Sequence, residues 1–279
     1  MDYFISFIYG IVEGITEWLP ISSTGHMLLL NNIPFFQFRD TSADFYSMYE
    51  VVIQFGAILA VVLLFWKRLW PFGLKEGHVI SKKKVWRMWL MVIISCIPAA
   101  IVGFKFDDDI ERLFYHPIPV ALALIIVGIV FIIVENIEKD MSPTITKISQ
   151  FTWKTALMIG IFQLFAAIFP GTSRSGATII GAMIIGVSRS CAAEYTFFLA
   201  VPVMLGASVL KIAKFGAAFS GHEIGVLLVG CITAFVVSLF IIRFLMDFVK
   251  KHDFKVFGYY RIALGIIVII CSFTLLKGM

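Results

Sequence analysis

The amino-acid sequence predicts an all-α, polytopic membrane helical bundle with an inverted-topology repeat, six spanning helices and two re-entrant helix hairpins. Three observations point there. Of 279 residues, 60% are hydrophobic and only 15% are charged, against roughly 45–50% and 25% in soluble domains. Six apolar runs of roughly twenty residues recur along the chain, each long enough to cross a hydrocarbon core. Two further apolar stretches are broken in the middle by polar, Pro/Gly-containing clusters, as re-entrant segments are. Disordered, collagen-like and disulfide-scaffold classes are excluded by the same composition. The net charge of +5 does not indicate a nucleic-acid partner, because basic loop residues of a membrane protein set its orientation. Membrane lipid is the expected surrounding. Residues 1–279 form one integral membrane domain.

The first broken stretch covers 3–30. Its break runs from Glu13 through Glu17, Pro20, Ser22, Ser23, Thr24 and Gly25 to His26. Proline and glycine stop a helix, and small hydroxyl residues cap the next one. Spanning runs follow near 46–66, 88–104 and 118–136. The second broken stretch covers 156–187, with its break at Phe169-Pro-Gly-Thr172-Ser173-Arg174-Ser175-Gly176. The last runs lie near 193–213, 224–247 and 258–276. The cysteines, Cys96, Cys191, Cys231 and Cys271, sit in apolar runs without a CxxC spacing and read as small buried hydrophobes. No basic leader region precedes the first stretch, so no cleaved signal peptide is expected.

With the N-terminus outside and both broken stretches re-entrant, sixteen of the 23 Lys and Arg fall inside, six fall outside and Arg174 stays in the membrane. That bias places both termini outside. The two broken stretches also match at an offset of 150 residues. Gly10, Pro20, Ser23 and Gly56-Ala57 fall on Gly160, Pro170, Ser173 and Gly206-Ala207, and Glu13 falls on Gln163. Repeat 1 is expected over about 3–136 and repeat 2 over about 156–276. Inverted repeats with broken helices place a polar site where the breaks meet.

The residues that carry chemistry lie in those breaks. Glu13 and Glu17, spaced i and i+4, share a helix face. Two carboxylates there call for a divalent cation such as Mg²⁺ or Ca²⁺, or else one of them is protonated. Ser22, Ser23 and Thr24 open a helix whose free N–H groups favour an anion; they cap it, or one of them is a nucleophile with His26 as acid or base. Arg174, among Thr172, Ser173 and Ser175, needs an anionic partner, either a first-hairpin glutamate or a ligand phosphate. Gln54 faces the site or bridges helices. Glu50 and Glu194 read as interfacial, Asp107, Asp108, Asp109 and Glu111 as a solvated loop, and His78, His116, His222 and His252 as surface residues. Together the breaks describe metal-assisted phosphoryl transfer. Transport, as a flippase or secondary transporter, is the rival class that the same architecture admits.

The segments Glu13-Gly-Ile-Thr-Glu17-Trp-Leu-Pro-Ile-Ser-Ser-Thr-Gly-His26 and Pro170-Gly-Thr-Ser-Arg174-Ser-Gly-Ala-Thr178 closely resemble the undecaprenyl-diphosphate phosphatase family, the bacitracin-resistance proteins. Glu50-Val-Val-Ile-Gln54-Phe-Gly-Ala57 and Leu199-Ala-Val-Pro202 resemble it as well. The resemblance implies a multi-pass enzyme of the bacterial plasma membrane that hydrolyses undecaprenyl diphosphate, recycles the lipid carrier for peptidoglycan synthesis and confers bacitracin resistance. It implies a site open to the extracytoplasmic side and a transporter-like fold of inverted repeats. Carried over by position, Glu17 would help hold the metal, with Glu13 beside it as a ligand or proton carrier, and Ser23 would be the nucleophile, His26 being the other residue considered for that role. Arg174 would clamp the diphosphate, with Ser173 and Thr24 as further donors. A homodimer is an assembly compatible with this reading.

Overall fold

The computed structural model describes residues 1–42, 44–75, 78–138, 141–216 and 219–275. Lys139 and Lys277 of the charge count lie outside the described residues. The chain forms helices α1 (Asp2–Thr16), α2 (Ser23–Asn31), α3 (Phe45–Leu64), α4 (Trp66–Leu69), α5 (Lys83–Phe114) and α6 (Pro117–Glu138). It continues with α7 (Trp153–Ile168), α8 (Arg174–Ile184), α9 (Arg189–Phe215), α10 (Gly221–Phe248) and α11 (Lys255–Leu275). One small antiparallel hairpin, β1 (Phe72–Lys75) with β2 (His78–Ser81), fills the loop before α5.

Six helices, α3, α5, α6, α9, α10 and α11, are long and apolar enough to cross a membrane. They match the six expected runs, most of them extended by a few residues at one or both ends. Their outward faces carry large exposed hydrophobics such as Leu63, Ile93, Ile126, Phe240 and Ile270. Lipid, not water, is the solvent that tolerates such a surface. The four helices of the broken stretches are shorter. At 15 residues, α1 reaches only ~22 Å, short of a ~30 Å hydrocarbon core.

Polar contacts gather at the two ends of the bundle and show where each hairpin begins and finishes. At one end, the Asp2 carboxylate accepts from the backbone N–H of Arg39 and Asp40, so the start of α1 lies beside the chain that leaves α2. His222 of α10 also contacts Asp2 and packs edge-on against Tyr3. Glu111–Lys211 and Asp108–Lys214 pair at the same end. The opposite end holds the ion pairs Arg68–Glu194 and Arg189–Glu135. There Ile145, ahead of α7, bridges Val187, just after α8. Each hairpin therefore returns to the end it started from, and the two start from opposite ends.

The helices pair crosswise: α1 lies on α10 and α7 on α5, α3 crosses α9, and α6 runs along α11. Small residues allow the closest approaches. A Cβ on Gly128 of α6 would sit 2.7 Å from the Gly258 carbonyl of α11, and one on Gly258 would sit 2.8 Å from the Gly128 carbonyl.

Several loop assignments change. α5 continues to Phe114, so Asp108, Asp109 and Glu111 stand on helix and are engaged by Lys214, Arg112 and Lys211. Glu194 is buried against Arg68 rather than solvated. His222 is half-buried between Tyr3 and Asp2, whereas His116 and His252 are exposed. Arg261, counted above as an inside loop cation, is fully buried in α11. The inside count thus falls to fifteen, which leaves the bias intact.

Candidate active site between the two hairpins

Both breaks use the same local device. Ser22 and Ser173 have φ of 73° and 69°, the only described non-glycine residues with positive φ. Such a backbone costs energy for an L-residue and persists where surrounding contacts fix it. Each serine caps the helix after it: the Ser22 hydroxyl accepts from Gly25 N–H at 3.4 Å, and the Ser173 hydroxyl from Gly176 N–H at 3.2 Å. The caps are 151 residues apart, not 150, because the second turn holds one more residue between proline and cap. The first helical residues, Ser23 and Arg174, are therefore structural counterparts.

The two turns meet in the interior. Ser23 Oγ donates to Glu17 Oε2 at 2.7 Å, and Arg174 Nη2 donates to Glu17 Oε1 at 2.9 Å. Glu17 thus holds the first-hairpin hydroxyl on one oxygen and the second-hairpin guanidinium on the other. Arg174 Nη1 donates to the Thr196 carbonyl at 3.1 Å, while its buried Nε has no partner. Ser175 Oγ donates to the Glu17 carbonyl at 3.1 Å, which fastens one turn to the other. An unpaired guanidinium at this depth would be costly; the carboxylate and carbonyl offset most of that cost and leave the Nε–H without a partner.

Glu17, Ser23 and Arg174 line a cavity of about 190 Å³ with Thr24, Gln54, Gln163, Ser173, Pro170 and Gly171, whereas Ser175 stays outside its lining. Helices α2 and α8 both begin at it. Their N-terminal N–H groups and dipoles add positive potential, so the cavity suits an anion despite its carboxylate. Glu13 lies behind it, fully buried, with neither carboxylate oxygen hydrogen-bonded.

Not every predicted site residue reaches this cavity. His26 Nδ1 meets the Ser22 carbonyl at 2.7 Å, and Nε2 meets the Tyr260 hydroxyl at 2.8 Å, with the rings stacked. Both ring nitrogens are thus occupied away from the Ser23 hydroxyl. Ser22 is spent as a cap. Thr172 lines an apolar groove on the other side of its turn rather than the polar cavity.

Two contributors escaped the sequence reading. Arg261 Nη1 donates to the Pro20 carbonyl at 3.2 Å, and Nη2 donates to the Gly171 and Thr172 carbonyls, both at 2.8 Å. One guanidinium thereby ties both turns to α11. Gln163, matched in sequence to Glu13, donates to the Ser95 carbonyl and lines the cavity. Their signals were present, as an arginine inside an apolar run and as a polar counterpart to an acid.

Fold and site define a polytopic helical membrane protein with a buried carboxylate–hydroxyl–guanidinium centre assembled from two hairpins. The family model of the bacitracin resistance protein BacA matches residues 6–267, and this chain belongs to that family. It is 56% identical to an undecaprenyl-diphosphatase of Desulfitobacterium hafniense over 97% of this chain and 96% of that protein. It is 59% identical to undecaprenyl-diphosphatase 1 of Clostridium acetobutylicum, over 94% of each. With an undecaprenyl-diphosphatase of Enterococcus faecalis it shares 53% identity, over 94% of each.

Proposed function

We propose that this protein is an integral membrane phosphatase that hydrolyses undecaprenyl diphosphate to undecaprenyl phosphate and inorganic phosphate. Carrier recycling for peptidoglycan synthesis and bacitracin resistance follow from that activity. The observation that carries the reading is the hydrogen-bonded chain Ser23–Glu17–Arg174 at the meeting of two helix N-termini.

The terminal phosphate enters the cavity and is bound by the Arg174 guanidinium that lines it. Ser23 Oγ attacks the terminal phosphorus. An O–P bond forms, the anhydride P–O bond breaks, and undecaprenyl phosphate leaves. The Ser23 proton passes to Glu17 Oε2, which already accepts it. Glu17 takes this step in place of His26, whose nitrogens are engaged elsewhere. Water then attacks the phosphoserine, releasing phosphate and restoring the hydroxyl. Arg174 and the helix N-termini stabilise the charge that gathers on the phosphoryl oxygens. A divalent cation, Mg²⁺ or Ca²⁺, suits the hard carboxylate oxygen of Glu13 beside the cavity and would neutralise diphosphate charge when bound. The unpartnered carboxylate of Glu13 supports that fit.

An apolar groove of about 600 Å³ runs along α6, α7 and α8 beside the end of α5, lined by Leu113, Leu122, Ala123, Phe165, Phe169 and Ile180. It adjoins the turn whose far side carries Arg174, and we assign it to the polyprenyl tail. Placement of both termini on the extracytoplasmic side is supported by the Lys/Arg bias, and the family resemblance implies a site open to that side.

Phosphate release from a polyprenyl diphosphate by purified protein, with and without chelator, tests the reading. Cation-dependent release is expected. No release with any divalent cation would contradict it and favour lipid transport.

A further inference from the structure

Glu13 and Glu17 stand one turn apart, yet their surroundings differ. Both Glu17 oxygens are committed, one to Ser23 and one to Arg174. Neither Glu13 oxygen has a partner, although the side chain is fully buried. A bare carboxylate in a protein interior requires a cation or a proton.

Glu13 faces a second, smaller cavity of about 90 Å³, lined also by Ser23, Thr24, Glu50, Gln54 and Tyr115. Glu50 comes from α3, and its Oε2 accepts from the Tyr115 hydroxyl at 2.5 Å. Met27 and Val51 complete the lining, and the polar groups of this chamber are carboxylate, amide and hydroxyl oxygens, which outnumber the one thioether and favour a hard divalent cation. The two carboxylates that line it, Glu13 and Glu50, balance its charge. Ser23, Thr24 and Gln54 line this chamber and the anion cavity alike.

We infer that the divalent cation binds between Glu13 of α1 and Glu50 of α3, with Gln54 and Thr24 as neutral oxygen donors, rather than between Glu13 and Glu17. Glu50 thereby becomes a cation ligand, and Glu17 is left free to take the serine proton. The cation lies behind the first residues of α2 and adds positive potential to the neighbouring anion cavity. This inference rests on the phosphatase reading only for the purpose of the cation; the site itself is defined by two carboxylates and a cavity.

The test is Mn²⁺ binding to purified full-length protein without substrate, read by loss of the free-ion electron paramagnetic resonance signal. One site is expected, displaced by Mg²⁺ or Ca²⁺. Glu13→Gln and Glu50→Gln should each weaken binding at least tenfold, whereas Glu17→Gln should keep it within threefold. Glu50→Asp, which keeps the charge on a shorter arm, should weaken it severalfold and serves if the glutamine variant does not fold. No Mn²⁺ uptake by the unmodified protein, or unchanged affinity in the folded Glu50 variants, would overturn the site. So would a Glu17→Gln loss equal to that of Glu13→Gln. Phosphate release is measured on the same samples. Release without the site refutes the site alone, and a filled site without release refutes the phosphatase alone.

Discussion

The two hairpin turns share a backbone and differ in cargo. Each has a proline, a serine cap at positive φ and a helix starting at the same cavity. At the first helical position one carries Ser23 and the other Arg174. In the helix before the turn, the first carries Glu13 and Glu17, and the second carries Gln163 and Ala167 at the 150-residue offset. The scaffold is duplicated, and the chemistry is divided between the copies. In the proposed mechanism the nucleophile and acids stand on one side and the anion clamp on the other, so the proposed centre exists only where the turns meet.

The largest effects should come from removing each turn's unique residue. Arg174→Ala and Ser23→Ala are each expected to lower kcat/KM by about 10³-fold or more, read by phosphate release. Loss from only one of them would break the idea of two half-sites. Arg174→Lys should restore little, since an ammonium cannot reproduce the planar fork that spans Glu17 and a phosphate. Next is the residue common to both turns. Arg261→Met leaves three interior carbonyls without donors and should destabilise the protein by about 3 kcal/mol or more, seen as a lower thermal midpoint with reduced turnover.

A smaller, selective effect is expected behind the second turn. Ala123→Trp narrows the apolar groove and should raise KM severalfold for a long polyprenyl diphosphate while leaving a short-chain diphosphate within twofold. Equal effects on both would remove the groove from the tail's path. The smallest effects sharpen the likeness of the turns. Ser22→Ala and Ser173→Ala each remove one cap and should each cost about 1 kcal/mol, measured by thermal unfolding.

Much of this was legible in the sequence because a membrane penalises what it does not need. Six spanning helices followed from apolar length, and both breaks from Pro, Gly and hydroxyl clusters. Glu13, Glu17 and Arg174 stood out as charges without an evident reason to be buried. Depth and direction were harder to read. Arg261 follows Lys255 closely, so it resembled a loop cation; α11 carries it inward to three carbonyls. His26 sits three residues after Ser23, close enough to suggest a catalytic pair, but the helix turns it to Tyr260. Glu50 looked interfacial because its partner, Tyr115, is 65 positions away. The extra residue in the second turn was invisible to an ungapped offset, which concealed that Ser23 and Arg174 are counterparts.

A charge exchange across the turns probes the central claim most directly. The double variant Glu17→Arg with Arg174→Glu can re-form the ion pair but exchanges base and clamp. Measured beside the two single variants, it is expected to recover thermal stability while phosphate release stays about 10³-fold below the unmodified protein. Recovery of near-normal turnover would contradict a divided active centre and reduce the pair to a structural tie.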